Sequence, residues 1–189
     1  MVIVIGITGA SGVIYGIRML EVLSSMKDVE THLVISRAGE LVIEDETDWN
    51  IKDVKNLATV VYDINDIGAR ISSGSFKTDG MVIAPCTVKT LSAIAYSYSE
   101  NLIIRAADVT LKERRKLVLM FRESPLHLGH IRNMERATEM GAIIIPPVPA
   151  FYQRPLTIQD IIDHTVGRIL DILNIKNNLL RRWEGFTTQ

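Results

Sequence analysis

Glycines at positions 6, 9 and 12 separate an apolar run, Val2–Ile7, from an apolar repeat of helical spacing at Val13, Ile14, Ile17, Leu20, Val22 and Leu23. Between them lies Thr8-Gly9-Ala10-Ser11-Gly12. Glycine lets the backbone come close to a ligand, and the free N–H groups at a helix start attract negative charge. A strand, a glycine turn and a helix in that order predict a phosphate cradle. A plain tight turn would need fewer glycines. A dinucleotide site of the short-chain dehydrogenase kind would bring a Tyr-x-x-x-Lys pair, and no tyrosine here has lysine four residues on. For NAD it would also bring an acid after the second strand, where this chain has Ser36-Arg37. Arg37 would suit a 2′-phosphate, so NADP stays open. A mononucleotide such as FMN needs only amides and hydroxyls, and is the preferred reading.

Further chemistry-bearing residues follow other apolar runs. Pro85-Cys86-Thr87-Val88-Lys89-Thr90 opens a helical pattern, where Thr87 suits an N-cap and the helix start an anion. Lys89 opposes the dipole of that first turn, which favours a functional reason for it. Cys86 reads as a buried, inert thiol rather than a nucleophile. His127-x-x-His130 has no third ligand nearby, so no metal site is expected. Arg105, Asp108 and Lys112 share one helical face by their spacing. Arg122-Glu123 leaves a strongly apolar run, as a salt bridge or a site residue would. The stretch 146–155 holds four prolines that would fix Phe151 and Tyr152 in place. Arg168 lies within an apolar helical stretch, and Trp183 in a basic tail suits docking on a neighbouring subunit.

These residues need a frame. The chain has 189 residues, 47% of them hydrophobic, enough for one buried core. A net charge of -1 gives no basic face for nucleic acid. One cysteine excludes an internal disulfide and fits a reducing, cytoplasmic setting. No apolar run approaches a membrane span, and the apolar start lacks the basic flank of a signal peptide. Short apolar runs at 2–7, 31–35, 59–62, 81–84, 116–121 and 142–145 predict strands. Helical patterns fall at 39–46, 87–95, 102–114, 131–140 and 158–173. This alternation predicts an α/β, three-layer Rossmann-like fold with a parallel sheet covered by helices on both faces. Ligands of such sheets bind outside the carboxyl ends of the strands. A single domain over 1–189 is expected, its tail from about 177 packing on a neighbouring subunit.

Taken as a set, the motifs resemble those of the UbiX-type flavin prenyltransferases, once described as 3-polyprenyl-4-hydroxybenzoate decarboxylases. The resemblance runs from Val4 to Trp183. It rests on Thr8-Gly9-Ala10-Ser11-Gly12, Glu46-Thr47-Asp48, Ile71-Ser72-Ser73-Gly74-Ser75, Pro85-Cys86-Thr87-Val88-Lys89-Thr90-Leu91, the run 105–115 and the stretch 146–152. Thr87-Val88 departs from the serine and methionine or isoleucine of many relatives, but keeps the hydroxyl. The resemblance implies an FMN site at Gly9, Ala10, Ser11, Ser36, Thr87, Val88, Lys89, Thr90 and Arg122. It implies that dimethylallyl monophosphate is held by Lys112, Arg122, Tyr152 and Arg168. Glu46, Lys112, Arg122, Glu123 and Tyr152 would then be the catalytic groups, with no metal. The implied reaction joins the prenyl group to N5 and then C6 of reduced FMN, giving prenylated FMN for a UbiD-type decarboxylase. Dodecamers with active sites between subunits are implied as well. The alternatives are an FMN-dependent decarboxylase of aromatic or cysteinyl acids, and a non-catalytic FMN-binding subunit.

Overall fold

The computed structural model describes residues 1–183 and 185. The chain divides into two compact units, Met1–Pro147 and Val148–Gln189. In the first unit the elements run β1 (Val2–Ile7), α1 (Val13–Ser24), β2 (Glu30–Ile35), α2 (Arg37–Glu46), α3 (Ile51–Asn56) and β3 (Val60–Tyr62). They continue with β4 (Gly80–Cys86), α4 (Val88–Ala95), α5 (Leu102–Lys112), β5 (Lys116–Phe121), α6 (Leu128–Glu139) and β6 (Ala142–Ile144). The sheet order is β3-β2-β1-β4-β5-β6, and every pairing is parallel.

The sequence explains this arrangement directly. β1, β4 and β5 are continuous apolar runs, buried over nearly their whole length, as strands covered on both faces must be. Helices cover them, and the interior is dominated by Ile, Leu, Val and Met side chains with no exposed surface. All six runs read from the sequence are strands, with end shifts of a residue or two. The short helix Ile51–Asn56 shows no apolar period; its Asn50 cap, accepting from Asp53 N, starts it.

Strand order reverses between β1 and β4. The chain leaves β1 toward β2 and β3, then crosses back to β4, β5 and β6. This makes the carboxyl ends of β1 and β4 the topological switch point, where a crevice opens. Two loops meet there: Thr8 Oγ1 donates to Pro85 O at 2.7 Å and accepts from Thr87 N at 3.0 Å. One buried hydroxyl thus ties the two loops together.

The second unit contains a short turn at Phe151–Gln153 and α7 (Ile158–Ile172). Thr157 and Asp160 form a reciprocal capping box that starts α7. Gly167 lets the segment after α7 fold back on it, since an added Cβ would lie 2.7 Å from Leu180 Cδ2. Asn177 Nδ2 donates to Gly167 O and to Asp171 Oδ1, holding that return. Of the tail considered above, Glu184 and residues 186–189 lie outside the described residues.

Candidate active site

At the switch point lies a cavity of about 480 Å³, within the ~300–1,000 Å³ typical of small-molecule sites. Its lining comes from the ends of β1, β2 and β4, the segment after β3, and the start of α5. Of the residues expected to hold a flavin, Gly9, Ser36, Thr87, Lys89 and Thr90 line it. Ser36 caps α2 by accepting from Gly39 N at 3.0 Å. Thr87 caps α4, accepting from Thr90 N at 3.2 Å and donating to Thr90 Oγ1 at 2.9 Å. Two capped helix starts therefore face one cavity, and capping and anion binding coincide there. Lys89 pairs with Glu100, also on the lining, at 2.7 Å and remains largely exposed.

Gly9 is required by a close approach. A Cβ there would stand 2.4 Å from Ala38 Cβ and 2.9 Å from the Ala38 carbonyl carbon, so α2 packs directly on the turn. Ala10 and Ser11 continue the turn at the surface and are not part of the cavity wall. Val88 faces a different groove, beside α6, together with His127 and His130. Sequence reasoning missed Ile64, Asn65, Asn101, Ile103 and Ile104, which also line the cavity. Ile64 and Asn65 follow the weakest strand run, and that position was the available signal. Asn101 caps α5, accepting from Ile104 N at 3.1 Å, and the pattern of an Asn before an apolar run marks such a cap.

Glu46 ends α2 beside the same turn, where its Oε2 accepts the Gly12 N–H at 2.8 Å. Gly12 has φ +96, a conformation that favours glycine. Arg122 leaves β5 at the carboxyl edge, its N–H donating to Cys86 O at 3.2 Å. Its side chain is exposed and forms no ion pair among the described residues. Glu123 Oε1 accepts from Ser124 N at 2.9 Å. Cys86 is fully buried in β4, and burial pushes its thiol far up from its ordinary value. That environment keeps the sulfur protonated and inert.

Lys112 lies elsewhere. Its helix α5 starts at the cavity and runs back over the sheet for 11 residues, roughly 16 Å at 1.5 Å per residue. It ends next to the amino end of β5, with Lys112 against the 73–75 loop. Arg105, on the same helix, is held by Asp108 at 2.8 Å and Ser72 O at 3.3 Å. On the face shared by Arg105, Asp108 and Lys112, Arg105 thus holds Ser72, while Lys112 lies beside Gly74.

Tyr152 and Arg168 belong to the second unit. Tyr152 Oη lies 3.3 Å from His164 Nε2, and its ring meets those of His164 and Trp183 edge to face, at 5.9 and 5.8 Å between centroids. Burial, and secondly the nearby Arg168 charge, lower the His164 pKa from its ordinary value. Arg168 is half exposed and lies 3.6 Å from Asp171, which Arg182 also grips through two hydrogen bonds. His164 was not singled out from the sequence; its spacing of four from Arg168 was the signal.

Among the described residues no cluster of three or more His, Cys, Asp and Glu side chains is arranged to hold a metal. No helix among them is long and apolar enough to cross a membrane.

A parallel sheet with capped helix starts, hydroxyls and apolar side chains around a cavity at its switch point defines a mononucleotide-binding α/β protein. The sequence pattern of the Flavoprotein family matches residues 1–182. The chain is 59% identical to flavin prenyltransferase UbiX of Thauera aromatica, over 98% of this chain and 95% of that one. It superposes with a TM-score of 0.96 on AnUbiX (PadA1) in complex with FMN and dimethylallyl pyrophosphate, at 49% identity and covering 98% of each chain. A dodecameric FMN-dependent UbiX-like decarboxylase from Escherichia coli O157:H7 also gives a TM-score of 0.96, at 46% identity, covering 98% of this chain and all of that one. The chain belongs to the flavoprotein family and, within it, to the UbiX flavin prenyltransferases.

Proposed function

We propose that the chain transfers the dimethylallyl group of dimethylallyl monophosphate to N5 and C6 of reduced FMN. The observation that carries this reading is the switch-point cavity, whose lining joins capped helix starts for a phosphate to Ile64, Ile103 and Ile104 for an apolar ring system. Its size and mixed lining fit a flavin. Gly9, Ala10, Ser11, Ser36, Thr87, Val88, Lys89, Thr90 and Arg122 are proposed to hold FMN. Bound reduced FMN supplies the nucleophilic N5 and C6 positions.

The chain's own residues supply the rest. Breaking the allylic C–O bond leaves positive charge on carbon and negative charge on phosphate. Lys112, Arg122 and Arg168 are cations for that phosphate: arginine offers a planar fork and lysine a compact charge. Tyr152 joins them through its hydroxyl, and the edge-to-face contact with Trp183 limits its ring's freedom. The faces of these rings are suited to stabilise an allylic cation. Glu46 and Glu123 are proposed to move the protons that the two bond formations require: one lost from N5 on alkylation, one gained by the prenyl double bond, and one lost from C6 as the ring closes.

The position of Lys112 adds one requirement. It sits at the far end of α5 from the cavity that Asn101 lines, so we propose that it serves the flavin site of a neighbouring subunit. Assembly as a dodecamer and docking of the tail from about 177 on a neighbour belong to the same proposal, with the whole chain acting as one flavoprotein domain. A cytoplasmic setting and delivery of prenylated FMN to a UbiD-type decarboxylase complete it. Anaerobic incubation with reduced FMN and dimethylallyl monophosphate, followed by mass measurement of the extracted flavin, tests the reaction. Carbon dioxide release from aromatic acids by the purified protein alone, without flavin prenylation, would favour a decarboxylase instead.

A further inference from the structure

The C-terminus of α5 carries an arrangement that the proposed chemistry does not itself explain. Lys112 is the last helical residue, and Glu113 is the cap that follows it, at φ −84 and ψ 6. Adjacent residues within a helix do not face each other. Glu113 reaches Lys112 because it has left the helix, and Arg114, at φ +56, then turns the chain toward β5. Glu113 Oε1 accepts from Lys112 Nζ at 2.5 Å, while its Oε2 lies 3.9 Å from Arg115. Arg115 is itself anchored, donating to Gly74 O at 2.8 Å, Phe76 O at 2.9 Å and Thr78 Oγ1 at 3.2 Å. Gly74 leaves room for the pair: a Cβ there would lie 2.2 Å from Glu113 Oε1 and 2.7 Å from Lys112 Nζ.

We propose that Glu113 is a positioning residue for Lys112, holding its ammonium on the Ser73-Gly74-Ser75 loop in the orientation that receives the donor phosphate. The inference rests on the reading of Lys112 as a donor-phosphate group. A lysine has a flexible four-carbon stem, and 47% of this side chain is exposed. Left alone, it samples many rotamers, and a phosphate must select one of them. The chain Arg115–Glu113–Lys112 removes that freedom before the donor arrives. An ammonium has three N–H donors. One is given to Glu113, and two remain for phosphate oxygens. The neighbouring Lys112 holds the Glu113 carboxyl below its ordinary range, so the carboxylate stays charged at neutral pH.

The test compares the intact enzyme with Glu113→Ala, Glu113→Gln, Lys112→Ala and the double variant Glu113→Ala/Lys112→Ala. FMN affinity is followed by flavin fluorescence, and KM and kcat are measured for dimethylallyl monophosphate. Loss of positioning raises the donor KM roughly tenfold in Glu113→Ala and lowers kcat as well, because Lys112 meets the phosphate both when it binds and as it departs. Glu113→Gln, which keeps an acceptor in place, recovers part of the loss. In the Lys112→Ala background, Glu113→Ala adds no further effect, and FMN affinity is unchanged throughout. A lower donor KM in Glu113→Ala would show that the carboxylate merely competes with phosphate, and would overturn the proposal. So would an unchanged KM in that variant when Lys112→Ala is impaired. An unchanged donor KM and kcat in Lys112→Ala would remove the reading of Lys112, and this inference with it.

Discussion

Glu46 and Gly12 are 34 residues apart in sequence, yet the Glu46 carboxylate accepts the Gly12 amide N–H at 2.8 Å. The contact exists because α2 lies along the glycine turn, with Ala38 against Gly9 at one end and Glu46 against Gly12 at the other. A candidate proton-transfer group is thereby fixed to the turn that frames the flavin cavity. Glu46→Gln keeps an acceptor for Gly12 but cannot take up a proton. The expected result is a kcat ~10²–10⁴-fold lower, the span usual for general acid–base catalysis, with FMN affinity retained. Stopped-flow kinetics and flavin titration check it. Loss of FMN binding instead would assign Glu46 to the turn's structure.

Gly9→Ala probes the other end of that contact. Its methyl group would meet both the side chain and the backbone of Ala38, so relief requires α2 to move. Overpacking of this kind costs about 1–3 kcal/mol. Both chemical stability and FMN affinity are expected to fall, measured by urea unfolding and by fluorescence titration.

Lys112 and the cavity lie at opposite ends of α5, so the two should be contributed to one site by different subunits. Lys112→Ala and Glu46→Gln, each impaired alone, are expected to regain activity when their subunits are unfolded and reassembled together. Mixing gives some sites with both wild-type groups. Mixed assemblies no more active than the average of the two parents would place both residues in one subunit's site.

His164 has a lowered pKa in the folded chain because burial, and then Arg168, disfavour its charged form. The unfolded chain therefore binds a proton at higher pH than the folded one. Stability is complete above the ordinary histidine pKa of about 6.5 and falls as pH drops through that value toward the lowered one. Urea midpoints measured between neutral and mildly acid pH should show this fall, and His164→Gln should flatten it.

Cys86 is buried with its thiol held protonated. A thiol reagent should leave the folded chain unlabelled and modify it fully in denaturant. Cys86→Ala should retain prenyl transfer while losing on the order of 1 kcal/mol of stability through a small cavity.

Much of this arrangement was legible in the sequence, for physical reasons that differ between elements. The β-branched runs gave all six strands because a parallel sheet buried on both faces demands continuous apolar residues. Ser36 and Thr87 were legible because caps need short hydroxyl side chains at one position relative to a helix start. Helix Ile51–Asn56 was not, since its start is set by Asn50 and it carries only one buried side chain, Val54. The location of Lys112 was also hidden. Spacing places Lys112 on a face of α5, but only the crossover direction shows that this end of the helix lies away from the cavity. The contacts of Glu113 and Arg115 with the 73–78 segment depend on a chain reversal that leaves no local signature. His164 acquires its significance from Tyr152, 12 residues away, through a loop whose path the prolines constrain but do not reveal.

A flavin that accepts a prenyl group differs in mass from one that is only held. Purified protein is incubated anaerobically with reduced FMN and dimethylallyl monophosphate, and the flavin is extracted and weighed. The expected product is FMN heavier by one five-carbon prenyl unit, formed only with all three components present. Recovery of unmodified FMN under those conditions, from protein shown to bind it, would rule out prenyl transfer.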